Sequence, residues 1–214
     1  MHHTLNYNEN VEITSENLFL KGKLMIPEES SQLIMFISDK ASSRGDQLTT
    51  FLAAEMRAAG FATLEFDLLT EHELAEERKK LDINLLAERI VHARKWLGQN
   101  PHTEYFSIGI FAYNTGAAAA LIAASRIDAS VNAVVSAGGR PDLVLDHLEK
   151  LQCPVMLIAG GADNANVTFN QKALPHINSE HAFRVLQDAK HDFEQPGKRE
   201  EVAALSRDWF IQNT

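Results

Sequence analysis

Asn114 stands where the local pattern would present a reactive side chain. The apolar run YFSIGIFAY (105–113) reads as a strand, and the alanine-rich segment after Gly116 reads as a helix. Between them lies Ala112-Tyr113-Asn114-Thr115-Gly116. A sharp strand-to-helix turn exposes the side chain at its tip, and its strained backbone demands small residues two positions before and two after. Ala112 and Gly116 meet that demand. Asparagine is among the few non-glycine residues that tolerate positive φ, so the turn is compatible with it. Its carboxamide, however, has no hydroxyl or thiol for a base to deprotonate and is a poor nucleophile. Two other groups are candidates for acid–base work. Asp163 follows an apolar run and Gly160-Gly161, and His191 lies beyond the last strand-like segment. Taken one at a time, an aspartate here caps the next helix and a histidine here has a local loop role.

Anion binding is the other chemistry the residues offer. The N–H of Thr115, at the start of a helix, is available to an anion. Arg44 and Arg140 each follow a strand-like run, at loops that a parallel sheet gathers at its C-terminal edge. With the Thr115 N–H they could hold a carboxylate or phosphate; alternatively each pairs with a nearby acid, Asp46 or Asp142. Ser42 and Ser43 lack the geometry of a turn tip and read as plain loop residues. Cys153, the one cysteine, precedes Pro154 at a strand start and reads as a small buried residue, and a lone cysteine excludes an intrachain disulfide. The nine histidines, His2 and His3 included, show no His-x-x-x-His spacing, and no Gly-x-Gly-x-x-Gly or Walker pattern occurs. Neither a metal nor a nucleotide cofactor is expected.

The elements that must position these residues alternate along the chain. Strand-like runs occupy 10–14, 18–27, 32–38, 61–69, 105–113, 131–139, 153–161 and 181–189. The first two form an opening hairpin pair. Helical periodicity marks Leu48, Phe51, Leu52 and Met56 up to a stop at Gly60, then Ile83 to Leu97, then the segment after Gly116, and finally Val202, Leu205 and Trp209. A short helix is expected between 139 and 153. The charged stretch TEHELAEERKK (70–80) reads as a solvated helix or loop. This alternation predicts an α/β fold: a mostly parallel sheet of about seven or eight strands with helices on both faces. The 214 residues read as one domain (1–214) without a cap, and a 45% hydrophobic content is enough for a sizeable core. The net charge of −9 and the lack of long basic runs argue against nucleic acid and anionic membrane surfaces as partners. No apolar stretch reaches spanning length and the N-terminal segment is polar, so a cytoplasmic location is expected.

The elbow Ala112-Tyr113-Asn114-Thr115-Gly116-Ala117-Ala118-Ala119-Ala120-Leu121 resembles that of small, lidless, dienelactone-hydrolase-like α/β-hydrolases, which commonly reads Gly-Ala-Ser-Thr-Gly-Ala-Ala-Ala-Ala-Leu. The resemblance continues in SAGGRPDL (136–143), CPVMLIAGGAD (153–163) and AKHDFEQPG (189–197), and covers almost the whole chain. It implies the α/β-hydrolase fold, with Asp163 holding His191 and His191 facing Asn114 in the place of the serine. It also implies an oxyanion loop after the strand at 32–38. There the relatives usually read His-Gly-Ser-Gly-Ser-Ser-Arg, against Ser38-Asp39-Lys40-Ala41-Ser42-Ser43-Arg44 here. Asp39 would put a carboxylate near a developing oxyanion unless it turns away or pairs with Lys40. The nucleophile and the hole therefore depart in the same direction, and a degenerate hydrolase that binds a small-molecule ligand or a partner is the expectation. Two alternatives remain open. Deamidation of Asn114 would supply a carboxylate nucleophile for small esters or lactones, although Thr115 rather than glycine follows it. Members of the family also occur fused or adjacent to phosphoribosyltransferase domains, which makes such an enzyme a partner by resemblance.

Overall fold

A computed structural model describes residues 5–37, 47–126 and 130–214. Two antiparallel strands open the chain, β1 (Leu5–Ser15) and β2 (Leu18–Pro27), joined at Glu16 and Asn17. Six shorter strands follow: β3 (Gln32–Ile37), β4 (Ala62–Phe66), β5 (Ser107–Tyr113), β6 (Ala133–Ala137), β7 (Val155–Gly160) and β8 (His181–Leu186). They form one eight-stranded sheet in the order β1-β2-β4-β3-β5-β6-β7-β8. β2 pairs antiparallel with β4, and every pairing from β4 to β8 is parallel. The parallel pairings need crossovers, and these carry the helices α1 (Gln47–Ala58), α2 (Glu77–Lys80), α3 (Ile83–Leu97), α4 (Thr115–Ala124), α5 (Leu145–Leu148) and α6 (Asn164–Ala173). The chain closes with α7 (Lys198–Asn213).

Side chains alternating along β5 divide the core in two. Ile108, Ile110 and Ala112 join α3 and α4 on one face, and Phe111 and Tyr113 join α1 and α7 on the other. α4 is apolar all round, and Ala117 to Ala123 are all buried. A helix of this kind belongs inside a fold. Its small side chains let it lie close to the sheet, which fixes where its N-terminus points. The aromatic residues of the second face, Phe36, Phe61, Phe111 and Phe210, are fully buried. Each such side chain contributes about 1.5–3 kcal/mol of transfer free energy.

The strand and helix bounds differ from expectation at the ends. β1 begins at Leu5, because ladder pairing with β2 continues past the apolar stretch at 10–14. β4 ends at Phe66 and β8 at Leu186, where the chain turns toward the C-terminal edge of the sheet. The stretch 70–80 is not simply solvated. It forms a short 3₁₀ turn (Glu73–Ala75) and α2, and Glu73 is buried. One Glu73 oxygen accepts from the Thr70 N–H (2.9 Å), and the other meets Arg89 Nη2 at 3.3 Å. Arg89 also donates to the Ser15 hydroxyl (2.7 Å), tying this stretch to α3 and β1. No helix among the described residues is long and apolar enough to cross a membrane.

Candidate active site

The tip of the β5–α4 turn is Asn114, with φ 51° and ψ −127°. That backbone conformation is sparsely populated and costs of order 1–3 kcal/mol, which the surrounding packing must offset. Its N–H donates to Ala137 O (3.1 Å) and its carbonyl accepts from Ala117 N (3.1 Å), so β6 and the first turn of α4 fix the tip from both sides.

Asp163 begins α6 as its N-cap, with Oδ1 accepting from the Asn166 N–H at 3.0 Å. Its other oxygen, Oδ2, lies 2.7 Å from His191 Nδ1. The helix-capping role and the contact with His191 were alternatives in the sequence, and one carboxylate does both. The Asn166 N–H, followed by His191, holds Asp163 below the usual carboxylate range, against a burial effect that works the other way. An ionised carboxylate only accepts, so Nδ1 carries the proton and Nε2 keeps its lone pair in the neutral ring. The His191 side chain is 47% exposed and that of Asp163 26% exposed, so both remain open to solvent.

Glycines at the ends of β6 and β7 let the His191 loop reach this place. Gly138 has φ +60°, and a Cβ there would lie 2.1 Å from the His191 carbonyl oxygen. A Cβ on Gly160 would lie 2.4 Å from the Lys190 carbonyl. Beyond them, Phe193 at φ 51° is fully buried and anchors the loop in the core. The Ala162 N–H donates to Ala189 O (2.8 Å), joining the Asp163 and His191 loops directly. Asn166 ties these pieces together: its Oδ1 accepts from Gly160 N (3.2 Å) and its Nδ2 donates to Gly139 O (3.0 Å). Asn170, one turn on, also donates to Gly139 O (3.3 Å). Sequence reasoning did not single out Gly138, Gly160, Asn166 or Asn170 as site residues. The available signals were two Gly-Gly pairs ending adjacent strands, and asparagines spaced four apart on a short helix.

Arg140 forms a two-pronged pair with Asp142, Nε to Oδ1 at 2.8 Å and Nη2 to Oδ2 at 2.9 Å. Its guanidinium carbon lies over the Phe169 ring, 3.6 Å from the centroid. The hydrogen bonds to Asp142 raise its pKa further. Pairing with Asp142 was the alternative to an anion pocket, and it uses two of the arginine's donors. Asn114, Thr115, Arg140, Asp163, Phe169 and His191 all line one cleft of about 300 Å³. Ser38, Asp39 and Arg44 lie outside the described residues, as do Lys40, Ser42, Ser43 and Asp46. Cys153 is away from the cleft and buried, and burial pushes its thiol up to about 11, so it stays protonated near neutral pH. Among the described residues there is no cluster of three or more His, Cys, Asp or Glu suited to a metal.

The depressed Asp163 pKa sets a pH dependence. A carboxylate with a lowered pKa in the folded state stabilises the fold above its unfolded pKa, and that contribution is lost as pH falls through the folded value. In urea unfolding, wild type should exceed Asp163→Asn in stability by its full margin at neutral pH. The margin should shrink steadily on acidification below the usual carboxylate range. An equal margin at neutral and strongly acid pH would show that Asp163 gains nothing from its charge.

Known proteins agree with this architecture. A family model described as "Dienelactone hydrolase family" matches residues 62–212. The crystal structure of a dienelactone hydrolase from Anabaena variabilis is 36% identical and superposes with a TM-score of 0.93, covering 97% of this chain and 98% of that one. A dienelactone-hydrolase-like promiscuous phosphotriesterase from metagenomic libraries shares the fold, with a TM-score of 0.77 at 15% identity over 96% of this chain and 98% of its own. Two Mycobacterium tuberculosis proteins with the provisional name phosphoribosyl transferase are 40% identical over 205 residues, which is 96% of this chain and 46% of theirs. The chain thus spans about half the length of those curated relatives. From residue 62 almost to its end, the chain belongs to the dienelactone hydrolase family.

Proposed function

We propose that this protein is a degenerate hydrolase, a dienelactone-hydrolase-like fold whose cleft binds a small-molecule ligand without forming an acyl-enzyme. The observation that carries the reading is the side chain at the tip of the turn. Where the family motif has a serine beside an acid–histidine pair, Asn114 offers a carboxamide, and a carboxamide cannot be activated by proton removal. The pair itself, Asp163 and His191, supports a site that is still shaped for a ligand. The test is ester hydrolysis. Wild type should turn over p-nitrophenyl acetate no faster than His191→Ala. A wild-type rate that His191→Ala abolishes, together with the mass gain of one amide-to-acid conversion at Asn114, would establish instead a deamidated, working hydrolase.

A second reading draws on the relatives. Proteins 40% identical to this chain are about twice its length and are named for phosphoribosyl transfer. On this reading the domain regulates a phosphoribosyltransferase that it is joined to or binds. The measurement is the activity of a phosphoribosyltransferase from the same cell with and without this protein. An unchanged rate and no co-migration on gel filtration would remove the idea.

A further inference from the structure

We propose that His191, oriented by Asp163, acts as a free-standing general base that takes a proton directly from a neutral, planar ligand in the cleft. The inference rests on the ligand-binding reading above and adds an activity to it.

The contact with Asp163 fixes the ring's tautomer. Asp163 Oδ2 accepts a hydrogen bond from Nδ1–H at 2.7 Å, so Nε2 is the nitrogen left with a lone pair when the ring is neutral. The ring's place is also set without help from a hydroxyl at 114. Gly138 and Gly160 admit the loop backbone, Phe193 anchors it in the core, and Asn166 couples the Asp163 turn to the ends of β6 and β7. With no hydroxyl at 114 for it to activate, this base cannot start the usual acyl-enzyme route. It can still remove a proton from an activated C–H or O–H, provided the charge left behind is delocalised within the ligand. Such a reaction needs neither an elbow serine nor an oxyanion hole.

The lining selects the ligand class. Phe169 adds an aromatic side chain to the lining, with the Arg140 guanidinium carbon 3.6 Å from its ring centroid. Arg140 is already paired with Asp142, and Asp163 carries a negative charge next to His191. With Arg140 matched by Asp142 and Asp163 negative, the described lining residues carry no net positive charge when His191 is neutral, which favours a neutral aromatic or enolisable ligand over an anion. A cleft of about 300 Å³ fits a bicyclic molecule.

The probe is nitrobenzisoxazole. His191 Nε2 takes the proton on the carbon next to the ring nitrogen, the C–H electrons form the nitrile, and the N–O bond breaks. The product is cyanonitrophenolate, and the imidazolium returns its proton to water. No oxidant or second reactant enters. Wild type should show saturable turnover with a rate about 10²-fold above buffer, the lower end of general-base catalysis. His191→Ala and His191→Gln, each confirmed folded by its melting curve, should fall to the buffer rate. Asp163→Asn should lower kcat by about tenfold or more with KM nearly unchanged, since a wrong ring tautomer impairs the base and leaves binding alone. If folded His191→Ala or His191→Gln keeps the wild-type rate, the proposal is overturned. Saturation without dependence on His191 overturns the base and leaves the ligand reading standing. Turnover that depends on His191 but never saturates supports the base and overturns the ligand reading.

Discussion

The variant Asn114→Ser combined with Ser38→His and Asp39→Gly should hydrolyse p-nitrophenyl acetate about 10² to 10³ times faster than Asn114→Ser alone, the factor that one oxyanion donor typically supplies. The single change provides a hydroxyl at a tip already held at φ 51° and ψ −127°, with Asp163 and His191 in the same cleft. By resemblance to the family pattern, it leaves the Ser38-Asp39 loop unable to stabilise a developing oxyanion. The loop changes without Asn114→Ser should give no gain, since no nucleophile is present. Initial rates of the four proteins decide the matter. Equal rates for the single and the triple variant would show that the 38–39 loop is not what limits the repaired site.

Gly138→Ala should destabilise the fold by about 3 kcal/mol, in the upper range for single substitutions that strain a special backbone position. Two effects add there. The residue sits at φ +60°, which an L side chain adopts at a cost, and its new Cβ would meet the His191 carbonyl oxygen at 2.1 Å. Neither partner is a flexible side chain that can swing away. The His191 loop must therefore shift, and the Asp163–His191 contact shifts with it. Gly160→Ala should act similarly, because its Cβ would meet the Lys190 backbone. By contrast, Gly197→Ala should cost less: its φ is +79°, but nothing lies within 4 Å of the added carbon. Urea unfolding of the three variants measures the difference. A loss below about 0.5 kcal/mol for Gly138→Ala, the level of ordinary surface changes, would mean the loop is not tightly held.

The sequence by itself determined the parts governed by local rules. The alternation of apolar runs and helical periodicity dictated a mostly parallel sheet between two layers of helices, and the eight strands follow it. Ala112 and Gly116 marked the sharp turn because only small residues fit around a strained tip, and positive φ at Asn114 agrees with the residue type, although its ψ of −127° lies outside the left-handed helical region that asparagine favours. These features depend on neighbours a few positions apart, so they can be read along the chain. Tertiary structure alone decided the rest. Whether Asp163 caps a helix or holds His191 could not be chosen from composition, since both uses need the same residue in the same turn; the loop path allows both. Glu73 looked like one acid in a charged run, yet Arg89 and Thr70 satisfy it in a buried place. Arg140 offered two roles, and Asp142 and Phe169 fix its orientation through one close ion pair and one packed ring. Gly138, Gly160 and Asn166 matter because strands β6 and β7 end side by side and the His191 loop crosses over them. Proximity of that kind arises when distant segments pack, and no periodicity in the sequence encodes it.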